Sequence, residues 1–188
     1  MIPVMKLPFK FDTHLMQHDL RRFTPEEWTP HYNIHYYEGD WSGIALRAPK
    51  DATDKLFPDP LAKSGYENTG FLQRCTYLPE VLSEFKCELE SARLLKLAAG
   101  SAVREHRDYF LGYEDGVVRV HIPVETNPNV EFFHNGQRVE MQKGEAWYLN
   151  FNLMHSVVNK STEDRVHLVV DCVLNDWLDS FFPGESQN

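Results

Sequence analysis

Val130-Glu131-Phe132-Phe133-His134-Asn135-Gly136-Gln137-Arg138-Val139-Glu140-Met141 is the stretch that decides the fold class. Asn-Gly between two short apolar-rich runs marks a two-residue hairpin turn, because both central positions need positive φ. Strands are therefore expected over 130–134 and 137–141. The same texture repeats outward from this hairpin. On its N-terminal side, Val117-Val118-Arg119-Val120-His121-Ile122-Pro123-Val124 places Val118, Val120 and Ile122 on one face and Arg119 and His121 on the other. Further strands are expected over 89–98, 102–107, 146–150, 155–159 and 165–174. Ala99-Gly100-Ser101, Asn127-Pro128-Asn129, Lys143-Gly144-Glu145 and the run from Lys160 to Asp164 separate them. A series of short strands with regular turns points to a sandwich or barrel, with a jelly roll as the natural candidate.

The first 87 residues read differently. Thr24-Pro25-Glu26-Glu27-Trp28 combines an N-cap, a proline at the first helical position and early acids, a helix start. Residues 31–47 alternate into strands around Gly39-Asp40. Residues 48–70, punctuated by Pro49, Pro58, Pro60, Gly65 and Gly70, read as one loop, and loops of such length in a compact domain usually serve function. Tyr77-Leu78-Pro79-Glu80 opens a short helix to about Lys86, and Asn175 to Phe182 a short closing helix. A single domain over 1–188 is expected, with flanking elements and a substrate loop in 1–87 and the jelly-roll core in 88–174.

The charge balance narrows the function. Lys and Arg number 19 against 28 Asp and Glu, a net charge of −9 with no basic cluster, which argues against a nucleic-acid partner. No apolar run is long enough to span a membrane, and the stretch Met1 to Pro8 is too short for a secretory signal. Cys75, Cys87 and Cys172 are odd in number and read as free thiols, so a reducing cytoplasmic setting is expected.

One pattern carries chemistry. On a strand, residues i and i+2 share a side, so His106 and Asp108 project together while Arg107 points away. His155 opens a later strand that a barrel can return beside them. Two imidazoles and one carboxylate are the facial triad of non-haem Fe(II) oxygenases, leaving three metal positions for a bidentate 2-oxo acid and O2. A structural zinc site would close all four of its positions. His-x-Asp alone is common, and His14, His18, His31, His35 and His134 have no ligand context. The weight comes from the ordered set His106, Asp108, His155 and Arg165. A pocket for a dicarboxylate needs inward cations, which Arg119, His121 and Arg165 can supply. The bland alternatives are a solvated strand face for Arg119 and His121 and a surface position for Arg165.

These motifs give the chain a recognisable likeness. Arg93-Leu94, Gly100, His106-Arg107-Asp108, Arg119 to Val124, Gly144-Glu145-Ala146-Trp147-Tyr148, Asn150-Phe151, His155 to Asn159 and Arg165 to Asp171 together resemble the aspartyl/asparaginyl β-hydroxylase family of Fe(II)/2-oxoglutarate dioxygenases. The same stretch is similar to the bacterial proline 3-hydroxylases. The animal aspartyl hydroxylase lacks the triad carboxylate, whereas Asp108 is present here. The resemblance implies a double-stranded β-helix (cupin-like jelly roll), Fe(II) at His106, Asp108 and His155, and 2-oxoglutarate at Arg119, His121 and Arg165. It further implies hydroxylation of a small or peptide substrate, an amino acid free or within a chain. Trp41, Arg47, Tyr66 and Tyr109 are candidate substrate contacts, against core packing for Trp41 and a surface role for Arg47. Two other classes share parts of the pattern. A cupin-type metalloenzyme of another reaction class would not need Arg165, and a non-catalytic ligand-binding jelly roll would not need the triad.

Overall fold

The computed structural model describes residues 1–51, 56 and 65–182. Two antiparallel sheets face each other. The larger runs in the order β1 (Val4–Lys10), β11 (Glu145–Leu149), β8 (Val117–Glu125), β13 (Arg165–Val173), β6 (Leu89–Leu97), β4 (Trp41–Pro49) and β2 (Thr29–Pro30), with β5 (Tyr66–Asn68) also paired to β4. The smaller runs β10 (Gln137–Arg138), β9 (Val130–His134), β12 (His155–Asn159), β7 (Ala102–His106) and β3 (Tyr37–Glu38). The fold is a jelly roll, the double-stranded β-helix that the strand pattern and the resemblance anticipated. At the β9–β10 turn, Asn135 and Gly136 have φ of 49° and 74°, the paired positive values of the expected hairpin.

Alternation within the central strands divides the labour. Val118, Val120, Ile122 and Val124 of β8, with Val166, Leu168, Val170 and Cys172 of β13, belong to the main core. That core is completed by α1 (Thr13–Leu20), α2 (Gly70–Gln73), α3 (Leu78–Ser83) and α4 (Asp176–Asp179) through Met16, Leu72, Leu78, Val81, Leu82 and Leu178. The opposite faces of β8 and β13 carry Arg119, His121, Arg165, His167 and Asp171 into the space between the sheets. Leu97, Val103, Phe132, Leu149, Phe151 and Val157 form a second, smaller core there. The hydrophobic effect thus holds the large sheet to its helices and frees its other face for charge.

Local reasons place the flanking parts. Asp12 caps α1, its side chain accepting from the N–H of His14 and Leu15 at 2.9 and 3.1 Å. Asp19, fully buried on α1, accepts from the N–H of Thr76, Tyr77 and Leu78 and from the Thr76 hydroxyl, which ties α1 to the start of α3.

Several boundaries differ from the sequence reading. The start at Thr24 is a single 3-10 turn, Pro25–Glu27, and the second hairpin arm is only Gln137–Arg138. β1 and α1 went unforeseen. Two prolines obscure β1, whose place at the edge of the sheet tolerates them. The expected 48–70 loop contains β5, held by pairs from Arg47↔Asn68 to Pro49↔Tyr66; residues 52–55 and 57–64 of it lie outside the described residues. Cys75, Cys87 and Cys172 are all free cysteines, with Cys75 and Cys172 buried. Among the described residues, no helix is long and apolar enough to cross a membrane.

Candidate metal centre

His106 ends β7 and His155 begins β12, and the two are directly opposed in the ladder. The register shifts between this pair and Val157↔Val103, so β7 bulges beside its histidine. Asp108 follows the end of β7, its N–H donating to the Phe151 carbonyl at 2.9 Å. One ligand atom from each of His106, Asp108 and His155 lies within 4.8 Å of the others. Carbonyl oxygens sit beside both Nδ1 atoms: Arg104 O at 2.8 Å from that of His106, and Leu153 O at 3.1 Å from that of His155. A carbonyl only accepts, so each Nδ1 carries a proton and Nε2 is the nitrogen left for a metal. Burial, and then the neighbouring His106, pull His155 down to about 4, which keeps it neutral as metal ligation requires. Phe151 meets the His155 ring edge-on at 4.5 Å, and Tyr36 stacks on His106 at 4.8 Å.

The triad carboxylate has its own support. Arg119 Nη1 donates to Asp108 Oδ2 at 2.8 Å, while its Nε and Nη2 donate to Asp171 Oδ1 and Oδ2 at 2.6 and 2.9 Å. Asp171 also accepts from Ser91 Oγ at 2.6 Å and Arg93 Nη2 at 3.0 Å. Burial alone would raise the Asp171 carboxyl, but Arg119 and Arg93 hold it far below the usual carboxylate range. Burial likewise opposes the Arg119 charge, and Asp171 and Asp108 more than offset it.

The other end of the polar face is built differently. Arg165 is 3 % exposed, has no carboxylate partner among the described residues, and its Nε is buried without a hydrogen bond. Burial pulls it down to about 9. Its Nη2 donates to His167 Nδ1 at 2.8 Å, and His121 Nδ1 lies 3.3 Å from the same atom. Guanidinium nitrogens only donate, so His167 Nδ1 is the acceptor and His121 Nδ1 carries a proton. Burial and the Arg165 charge keep His121 and His167 neutral. A cavity of about 470 Å³ is lined by Arg165 and His167 together with Phe132, Met141, Arg138 and Lys143.

Comparison with known proteins gives the family. The sequence model for aspartyl/asparaginyl β-hydroxylase matches residues 13–174. The chain belongs to that family. Its relatives include an L-proline cis-4-hydroxylase of Rhizobium meliloti (strain 1021), 25 % identical, with 95 % of this chain and 63 % of the relative covered. An L-proline cis-3-hydroxylase of a Streptomyces species is 28 % identical over 77 % of this chain and 51 % of its own. The chain thus spans about half to two thirds of the length of these curated relatives. A solved oxidoreductase of the 2OG-Fe(II) oxygenase family from Burkholderia pseudomallei superposes with a TM-score of 0.58 at 14 % identity, covering 90 % of this chain and 85 % of that one, a likeness of fold.

Against the family pattern, His106, Asp108 and His155 converge. The expectation that Arg119 faces a dicarboxylate meets a different arrangement, because its Nε, Nη1 and Nη2 are engaged by Asp171 and Asp108. The substrate candidates scatter. Trp41 stacks on His31 at 3.8 Å and lies 6.4 Å from the His106 ring, beside the triad. Tyr66 borders the arginine network: burial raises its hydroxyl, and the charges of Glu90, Asp171 and Arg93 reach it. Arg47 is a clamp between strands, donating to Leu89 O, Asn68 Oδ1 and Tyr66 O at 2.9, 3.0 and 3.1 Å. Tyr109 is 64 % exposed and contacts Arg107. Asp171, Arg93, His167 and Tyr36 were not singled out for roles from sequence. The alternation Arg165, His167, Val169, Asp171 was the signal available for two of them.

Proposed function

We propose that this chain is an Fe(II)- and 2-oxoglutarate-dependent oxygenase that hydroxylates an unactivated C–H bond of an amino acid, free or within a peptide. The observation carrying the reading is the pairing of a His106, Asp108, His155 triad with a buried Arg165 that has no carboxylate partner among the described residues. The donor set suits Fe(II): two imidazoles whose Nδ1 atoms are engaged by backbone carbonyls, and one carboxylate oxygen. Arg165 suits the distal carboxylate of a 2-oxo dicarboxylic acid, since its Nε is buried without a hydrogen bond and its charge has no carboxylate partner among the described residues.

Bound iron and co-substrate supply the oxidation, in which O2 hydroxylates the substrate C–H bond and 2-oxoglutarate becomes succinate and CO2. The chain's own residues position and insulate. Arg119 leaves Asp108 Oδ1 available by occupying Oδ2. The Arg104 and Leu153 carbonyls fix the rings of His106 and His155. His167 orients Arg165, and Phe151 shields His155 and stacks on His121 at 5.0 Å. The proline hydroxylases among the relatives favour an amino-acid substrate. A metalloenzyme without a co-substrate would have no use for the buried guanidinium of Arg165. Anaerobic addition of Fe(II) and 2-oxoglutarate should give a visible charge-transfer band, and air should then yield succinate. Absence of both, with His155→Ala indistinguishable from the parent protein, would end this reading.

A further inference from the structure

The cavity of about 470 Å³ has no part in the chemistry derived so far. Arg165 and His167 stand in its wall, and the rest of the lining comes from Lys10 and from two stretches within 126–132 and 138–143. It lies away from the triad along both sheets. In the small sheet it takes Val130 and Phe132, whereas His134, at the other end of β9, pairs with His155. In the large sheet Arg165 is the first residue of β13, and Asp171, which anchors the support of Asp108, stands about 20 Å further along the same strand. The two ends are nonetheless joined by rings. Phe132 and His167 both meet His121, at 6.0 Å between ring centres and 3.3 Å between Nδ1 atoms. His121 stacks on Phe151 at 5.0 Å, and Phe151 meets His155 at 4.5 Å.

The lining is cationic in an acidic protein. Lys10, Arg138, Lys143 and Arg165 line the cavity with one carboxylate, Glu140. Arg138 lies 3.8 Å from Glu140, and Lys143 bonds to Glu125, which stands outside the lining. Lys10 donates to the Lys143 carbonyl at 2.7 Å, a bond that leaves its charge in place. Counting both acids, four cations face two carboxylates, in a chain whose net charge is −9. Lys10 and Arg138 are exposed and Arg165 is buried, so positive charge runs from the surface inward to the guanidinium. A concave surface carrying one sign of charge on low-dielectric walls draws in ions of the other sign and speeds their capture. The remaining surface, acidic in sum, repels a dianion.

We propose that this cavity is the route by which dicarboxylates enter and leave, 2-oxoglutarate inward to Arg165 and succinate outward, separate from the opening at the triad that admits the C–H substrate. The inference rests on the oxygenase reading above and adds a path to it. The triad is open on its own side: the Asp108 side chain is partly exposed, and Met154, next to His155, is exposed. With two openings, co-substrate and succinate exchange without displacing what lies over the metal.

An obstacle on a route slows arrival and departure by the same factor and leaves affinity alone, whereas damage to a site changes affinity. Anaerobic stopped-flow growth of the Fe(II)/2-oxoglutarate charge-transfer band measures capture, and titration of the same band measures Kd. Gln142→Trp sets a large ring in the exposed part of the lining, and should slow capture roughly tenfold at an unchanged Kd. Lys10→Glu with Lys143→Glu should slow capture roughly tenfold at low salt, a difference that fades toward about 1 M salt as the charges are screened. Met154→Trp, on the triad side, should capture 2-oxoglutarate at the parent rate. If the double charge reversal fails to fold, the two tryptophan variants decide. Parent-like capture in Gln142→Trp overturns the proposal, as does slowed capture in Met154→Trp. A loss of affinity in Gln142→Trp that matches its loss of rate also counts against the route, since it would mean damage at Arg165. Each of these results leaves the oxygenase reading standing, whereas a missing band in unaltered protein defeats that reading and the route with it.

Discussion

Arg119 Nη1 lies 2.8 Å from Asp108 Oδ2, so the residue expected to face the co-substrate is bonded to the triad carboxylate. The same guanidinium is anchored on Asp171, and the three side chains form one chain of support from β13 through β8 to the end of β7. Arg119→Lys should weaken Fe(II) binding by roughly 10- to 100-fold, the usual effect of losing a partner of a metal ligand. Asp171→Asn should act in the same direction, because Arg119 would lose its anchor. Calorimetric titration with Mn(II) under chelator-free conditions measures both. Parent-like affinity in both variants would show that Asp108 needs no such support.

Metal binding should stabilise the fold, since the ligands come from two strands and the loop beyond. At a hundredfold excess over Kd, Mn(II) should add about 2.7 kcal/mol of stability. The rise in Tm should vanish with EDTA and in Asp108→Ala. A rise of equal size in Asp108→Ala would place the metal elsewhere.

Arg165 gives the co-substrate test. Arg165→Met removes a buried charge that has no carboxylate partner among the described residues, so the fold should tolerate it and even gain stability by relief of desolvation. Binding of 2-oxoglutarate should fall at least roughly tenfold, on the scale of a charge-assisted pair. The parent should prefer 2-oxoglutarate to 2-oxobutyrate, which lacks the distal carboxylate, and the variant should lose that preference. Anaerobic absorbance titrations report both constants.

Much of this arrangement was legible in the text of the chain because strands write their faces in alternate letters. Arg119 and His121 against Val118, Val120 and Ile122, and Asn135-Gly136 at the turn, sufficed for strands, for inward polar groups and for the jelly roll. The convergence of His106 with His155 followed from order alone. What could not be read was pairing at a distance. Nothing near Arg119 says that its partners are Asp108 and Asp171, and nothing near Arg47 says that its donors meet Leu89, Asn68 and Tyr66. β5 was hidden because Gly65 and Gly70 bracket a strand of only three residues, Tyr66–Asn68.

Asp19 gives a pH-dependent prediction far from the metal. Burial would raise its carboxyl, but the N–H groups of Thr76, Leu78 and Tyr77 and the Thr76 hydroxyl hold it below the ordinary value. A lowered pKa in the folded state contributes stability above the unfolded pKa of about 3.9, lost as pH falls through the folded value. Asp19→Asn should therefore cost about 2 kcal/mol at pH 7. The two melting temperatures should converge as the buffer is taken below pH of about 4. A constant gap from neutral to acid pH would assign the loss to packing and not to charge.

The two faces of β13 also guard its own alignment. Side chains in a strand swap sides with every residue, so a slip of one position against β6 or β8 would drive Arg165, His167 and Asp171 in among Leu78, Val81 and Leu178 and leave Val166, Leu168 and Val170 where the polar groups belong. Charges that serve chemistry on the correct registration are thereby a penalty on every neighbouring one, and the pocket acts as the proofreader of the sheet that carries it.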